Sequence, residues 1–297
     1  MALRINPDTS GDLLAALART AKQENKALAE LASGRRVNFI SDDPAAASAM
    51  VINRSEVRAM DQFLRNVTGL RALLQIADSA LNSVVLAMTR VIQLGVEGAN
   101  GTLTPDNRLA VAAEVQGLQE QLLSLANLTF QGKFVFAGTA ITTQPFVLDG
   151  GVPSGVRYDG NANVTTVEIA NGETIEMNLP GDAIFSDPTA DLFLAVNDLI
   201  VALQTSTGIS AAVAGVEAAF DHVVLVRGFY GNALNRIDGT EFFLNRERLE
   251  LNRQEEGLVG ADLAETVTNL IGAQNARDAI LAAASRISGN SLLDFLR

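Results

Sequence analysis

Residues 63–95 read FLRNVTGLRALLQIADSALNSVVLAMTRVIQLG. From Phe63, apolar or small residues recur at alternating spacings of four and three: Val67, Leu70, Leu74, Ala77, Leu81, Val84, Met88, Val91 and Gly95. That spacing lines them along one side of a helix, as a seam for a partner helix. A second run lies far downstream: Val213, Val216, Phe220, Val223, Tyr230, Leu234, Ile237, Leu244 and Leu251, broken only by Arg227, Glu241 and Arg248. Two long helices so far apart in sequence describe a chain that goes out and comes back. Such a form suits a rod or fibre subunit better than a compact enzyme.

Turn and cap residues divide the rest. Residues 10–32 read as a first helix, with Leu14, Leu17, Ala21, Leu28 and Leu31 near one face, ended by Ser33-Gly34. Val37-Asn38-Phe39-Ile40 is a short linker. In Asp42-Asp43-Pro44, Asp43 can cap free N–H groups and Pro44 fits the first helical position, so a helix is expected from Ala45 to near Gly95. Gly98, Asn100 and Gly101 mark a turn, and Thr104-Pro105-Asp106 opens another helix with Val111, Val115, Leu118, Leu122 and Leu125 on its seam. From about Ala140 the period becomes two. Val167 and Ile169, then Ile175, Met177 and Leu179, flank Asn171-Gly172, the preferred pair for a type I′ hairpin turn. Asp159-Gly160 and Pro180-Gly181-Asp182 are further turns. Ser186-Asp187-Pro188 is expected to restart helix. Gly257 and Gly260 break the returning helix, and a last helix carries Leu263, Val267, Leu270 and Leu281 before the apolar tail Leu292-Leu293-Asp294-Phe295-Leu296. All seven prolines fall outside the heptad runs, as their helix-breaking cost requires. Gly69 and Gly117 lie inside helices, either as tolerated defects or as places of close approach. The fold class is mainly α, a long antiparallel helical bundle with a small β-rich insertion.

Composition narrows the function. A net charge of −12 disfavours nucleic acid, which needs a basic surface. There is no cysteine, which removes disulfides, thiolate catalysis and Cys-ligated metals. No stretch approaches the ~20 apolar residues of a membrane span, so no membrane partner is expected. The opening residues Met1 to Pro7 lack the apolar core of a cleaved signal peptide. The single histidine, His222, has Asp221 and Val223 as neighbours and makes no catalytic set. Asp159, Asn161 and Asn163 imitate the start of a calcium loop, but Val164 and Ala170 stand where Gly and Glu are required. No cofactor, metal or catalytic residue is expected, and the chain reads as a non-enzyme.

Ser33-Gly34-Arg35-Arg36-Val37-Asn38, followed by Ser41-Asp42-Asp43-Pro44-Ala45-Ala46-Ala47, resembles the N-terminal signature of the bacterial flagellin superfamily. Gly132-Lys133-Phe134-Val135-Phe136-Ala137-Gly138-Thr139, Thr143-Gln144-Pro145-Phe146 and Tyr158-Asp159-Gly160-Asn161 look more like the hook–filament junction members than flagellin proper. So does the ending Ser291 to Leu296. The resemblance implies a nested architecture: residues 1–40 with 257–297 as a terminal helical coiled coil, 41–140 with 188–256 as a helical bundle, and 141–187 as a β-rich inserted domain. It also implies export without a cleaved signal, a flagellar export chaperone, an extracellular place at the hook–filament junction, self-assembly into a ring, and hook-associated protein 1 and flagellin as partners. The expected assembly residues are Leu14, Leu17, Leu28 and Leu31, facing Leu263, Val267, Leu270 and Leu281 and those of neighbours, with Leu292, Leu293 and Phe295 in the tail. A flagellin forming the whole filament is the alternative of the same class. A cytosolic coiled-coil binding module is the alternative of another.

Overall fold

The computed structural model describes the backbone of residues 9–295 and the side chains of residues 11–286. The opening segment Met1 to Pro7 and the side chains of Leu292, Leu293 and Phe295 lie outside the described residues. Seven helices and eight short strands follow in order among them. They are α1 (Thr9–Ser33), α2 (Pro44–Gly98), α3 (Pro105–Ala126), β1 (Thr129–Phe130), β2 (Lys133–Phe134), β3 (Phe146–Leu148), β4 (Val156–Tyr158), β5 (Thr166–Ala170), β6 (Glu173–Glu176), α4 (Gly181–Phe185), β7 (Ser186–Asp187), β8 (Ala190–Asp191), α5 (Leu192–Thr205), α6 (Ile209–Val259) and α7 (Leu263–Phe295). Chain contacts separate two compact units, Met1–Ala59 with Glu247–Arg297, and Met60–Arg246.

The larger unit is built on the two seams. Val67, Leu70, Leu74, Ala77, Leu81, Val84, Met88 and Val91 of α2 are all buried, as are Val213, Val216, Val223, Tyr230, Ile237 and Leu244 of α6. Two of the polar interruptions of the second seam, Arg227 and Glu241, form inter-helix pairs. Arg227 Nε and Nη2 donate to Asp78 at 3.0 and 3.3 Å, and Nη1 donates to Asn82 at 3.1 Å. Glu241 pairs with Arg71, which also meets Asp238 at 2.7 Å. Two glycines of α2 let neighbouring helices close in. A Cβ on Gly95 would lie 2.6 Å from Val213, and one on Gly98 would collide with Leu203. Gly69 and Gly117 face open space instead, so in the single chain they are tolerated defects. Eighteen-residue windows of α2 and α6 reach mean hydropathies of 1.4 and 1.6, enough by length and composition to cross a membrane, contrary to the sequence expectation. The seam residues of both helices pack into the helical core, while Leu86 of α2 and Leu225 and Phe242 of α6 stand exposed.

Four antiparallel two-stranded pairs, β1–β2, β3–β4, β5–β6 and β7–β8, make up the strand content. Four local expectations are corrected here. The turn with two positive φ values, as type I′ requires, is Gln131-Gly132 (φ 50° and 75°) in the β1–β2 hairpin. At Asn171-Gly172 only the glycine is positive, and the β5–β6 register shifts between Glu168 and Ala170. Ser186-Asp187-Pro188 belongs to the β7–β8 hairpin, because Asp187 Oδ1 turns back to accept from Thr189 N at 2.8 Å. The cap of α5 is Asp191, which accepts from Leu194 N at 2.8 Å. Pro180-Gly181-Asp182 opens the single-turn helix α4. Gly257 lies within α6, and the break follows at Gly260.

Candidate functional site

The first and last helices meet in the smaller unit. Helices α1 and α7 pair antiparallel: Arg277 Nη1 donates to Glu24 Oε2 at 2.8 Å, while Ala261 N donates to Gly34 O at 3.0 Å. The Glu24 carboxylate holds the Arg277 guanidinium above its ordinary pKa. The buried positions of this pair are small or hydroxylic: Thr20, Ala27, Thr266 and Ala273. Thr20 donates its hydroxyl to carbonyls of its own helix, and Thr266 donates to Asp262 O just ahead of α7. Small seam residues bring the helices close but remove little apolar area from water.

The large residues expected to carry assembly stand elsewhere. Leu14 is 67% exposed, Leu263 53%, Leu281 46% and Leu28 44%. Leu31 and Val267 are also exposed, and Leu17 and Leu270 are half-buried. The pair therefore presents an apolar surface that a single chain leaves wet.

The linker into α2 is held by its own polar groups. Gly34 takes φ +68° and donates to Glu30 O at 2.8 Å, the left-handed ending that glycine accepts at little cost. Arg35 bridges to Gly260, and Arg36 N donates to Val259 O at 2.8 Å. The Arg36 guanidinium reaches Leu258 O at 3.0 Å and Asp43 Oδ2 at 3.2 Å. The two aspartates divide the work. Asp42 Oδ2 accepts from Phe39 N at 2.8 Å and Asn38 N at 3.1 Å, closing the loop. Asp43 Oδ1 accepts from Ala46 N at 3.0 Å, capping α2. These N–H groups, Phe39 foremost for Asp42 and Ala46 for Asp43, hold both carboxyls below their ordinary range. Val37 anchors the loop in a small core with Ala46, Ala47 and Val259. That anchoring leaves Phe39 and Ile40 at 69% and 76% exposure. Two large apolar neighbours in an unperiodic loop were the available signal for this surface; the linker reading had no use for them. Nearby, Arg54 donates twice to Glu255, at 2.7 and 2.9 Å, and Asn53 donates to Leu251 O at 2.9 Å.

The second motif builds an aromatic core in the larger unit. Phe136 meets Phe185 edge-on at 5.3 Å, and Phe146 meets Tyr158 at 5.0 Å, Phe185 at 5.4 Å and Phe193 at 5.4 Å. Burial pushes the Tyr158 hydroxyl up to about 12; it reaches the carbonyls of Phe136 and Asn161, both at 3.1 Å. Asn127 brackets Phe146, its amide giving to Phe146 O at 2.8 Å and taking from Phe146 N at 2.9 Å. Gly138 turns at φ +68°, and Thr139 N donates to Asn161 Oδ1 at 2.9 Å. Gly132 forms the β1–β2 turn, and Pro145 is buried beside Phe146. Asp159 binds Arg157 at 2.7 Å and Asn161 serves the Thr139 turn, so neither is part of a cation loop. His222 Nε2 lies 3.0 Å from Ala183 O. Among the described residues no group of His, Cys, Asp and Glu could hold a metal ion.

Paired first and last helices, a two-seam helical bundle and four small antiparallel strand pairs around an aromatic core give a flagellin-like helical fold. The bacterial flagellin N-terminal helical region matches residues 10–141, so this part of the chain is similar to the bacterial flagellin superfamily. The chain is 28% identical to flagellar hook-associated protein 3 of Escherichia coli over 289 residues, covering 89% of this chain and 90% of that protein. It is 25% identical to the same protein of Salmonella typhimurium, covering 90% and 91%. Flagellin of Halalkalibacterium halodurans is 27% identical over 93% of this chain and 92% of that one. The fold matches that of FlgL from Xanthomonas campestris, with a TM-score of 0.60 and 20% identity over 67% of this chain and 98% of that one. It likewise matches hook-associated protein 3 of Legionella pneumophila, with a TM-score of 0.64 and 15% identity over 70% and 98%.

Proposed function

We propose that this chain is the structural subunit that joins hook to filament in a bacterial flagellum, and that it works without catalysis. The observation that carries this reading is likeness to hook-associated protein 3 along nearly the whole chain. Flagellin is the weaker alternative. In this reading residues 1–40 with 257–297 are the assembly domain, 41–140 with 188–256 the bundle, and 141–187 an inserted domain. The exposed leucines of α1 and α7 are covered by neighbouring copies in a ring, by hook-associated protein 1 on one side and flagellin on the other. Before export a chaperone covers α7, since an exposed amphipathic helix needs a groove to lie in. The subunit leaves the cell uncleaved and acts outside it.

Immunogold labelling of whole flagella in the native host tests this. A single band where hook meets filament is the expected result. Label along the full filament would assign the chain to the filament, and absence from flagella would return it to a cytosolic coiled-coil role. Chaperone binding should disappear when residues 261–297 are removed; undiminished binding would refute that part alone.

A further inference from the structure

The chain holds two Asn-Gly pairs, Asn100-Gly101 and Asn171-Gly172. Such a pair can react with itself, because an unhindered glycine nitrogen can attack the preceding amide carbon once its proton is removed. The two sites are built differently. Asn171 and Gly172 form the exposed tip of the β5–β6 hairpin, between Ala170 and its partner Glu173. Nothing lies within 4 Å of the position a Gly172 Cβ would take. The Gly172 N–H donates to Glu168 Oε1 at 3.1 Å. A carboxylate thus already holds the proton that must leave, at the distance a general base needs. At the other site the amide is occupied: Asn100 Oδ1 accepts from Thr102 N at 3.1 Å and from Thr102 Oγ1 at 2.9 Å.

We propose that Asn171 is a deamidation site built into the hairpin, with Glu168 as the base that draws the Gly172 proton. The Gly172 nitrogen bonds to Asn171 Cγ as its proton passes to Glu168. The Cγ–Nδ2 bond then breaks, and ammonia leaves carrying that proton. Water opens the five-membered imide at either carbonyl, giving aspartate or isoaspartate at position 171. The product places a new carboxylate beside Glu168 and Glu173, where like charges repel. The isoaspartate form also adds a methylene to the backbone of a two-residue tip and breaks the Ala170–Glu173 register. Arg236, which holds Glu173 at 3.1 Å, then anchors a loosened hairpin. The modification is independent of the reading of the chain's function.

The test is peptide mapping by mass spectrometry of the folded full chain during incubation at neutral to mildly alkaline pH. Asn171 should convert at least about a hundredfold faster than Asn100, the low side of what a positioned base contributes. In urea the two sites should converge. Glu168→Gln should slow Asn171 by about the same factor, and Asn171→Gln should remove the mass gain at the hairpin. Conversion at Asn171 no faster than at Asn100 in the folded chain would overturn the proposal. So would an unchanged or faster rate in the Glu168→Gln chain.

Discussion

Gly138 shows how a single residue can fix a loop of the strand-rich region against Asn161. Its φ is +68°, and a Cβ there would collide with the backbone oxygen of Asn161, which cannot swing aside as a side-chain tip would. Gly138→Ala should therefore cost about 2 kcal/mol or more, a size expected where strain and a backbone clash coincide. A melting curve of the full chain reads it. Two leucines of one helix provide a second contrast. Leu81 is fully buried in the α2 seam, whereas Leu86 is 64% exposed. Leu81→Ala should lose about 2–5 kcal/mol by leaving a cavity, and Leu86→Ala should fall within the small range of surface changes. Equal losses in denaturant titration would contradict the seam assignment. The linker aspartates carry a pH prediction. Asp42 and Asp43 have folded pKa values below their unfolded ones. Their stabilisation is present above the ordinary carboxylate range and is lost as pH falls through the folded values. Proteolysis between Val37 and Pro44 should accelerate on acidification through that window, and Asp42→Asn should flatten the response.

At the scale of elements, the helix seams were open to reading because burial in a long helix imposes its own period. Every apolar residue from Val67 to Val91 on that pattern is buried. Helix ends were legible where proline and glycine set them, at Gly34, Pro44 and Pro105. The failures share a cause in competing local bonds. Ser186-Asp187-Pro188 carries the residues of a helix start, yet Asp187 bonds Thr189 and leaves capping to Asp191. Asn171-Gly172 suits two turn types, and a register shift in β5 selects between them. The terminal helices were hardest, because an alanine-rich helix offers two faces. One carries leucines and the other Thr20 and Ala27, and the single chain buries the second. The aromatic core was visible as a motif, but the long-range pairing of Phe136 with Phe185 and of Phe146 with Phe193 was not. Polar breaks in the α6 seam give an element-scale prediction. Arg227 and Asp78 are each about 30% exposed, so their coupling should be about 1 kcal/mol in a double-mutant cycle. Replacing both with well-fitted apolar residues should leave stability unchanged or raised. A large loss from that double change would mean that the pair sets helix register.

At the scale of the whole molecule, the buried core and the exposed leucines fall in different units. The buried seams, the aromatic core and the Arg227–Asp78 pair all belong to the larger unit. The exposed leucines belong to α1 and α7 in the smaller one, whose own seam of threonine and alanine buries little apolar area. Covering those leucines between copies would release a free energy of about 25 cal/mol per Å² of apolar surface. Replacing Leu14, Leu28, Leu263 and Leu281 together with serine removes that term and touches no residue of the larger core. The expected outcome is a chain whose main melting transition is unchanged, which stays monomeric in sedimentation, and which fails to add to hook tips in a host lacking its own copy. If the substituted chain still assembles, the leucine face is not the assembly surface, and the exposed Phe39-Ile40 pair of the linker becomes the next surface to test. If the main transition falls as well, the leucines contribute to the fold of the single chain, and folding and assembly share those residues.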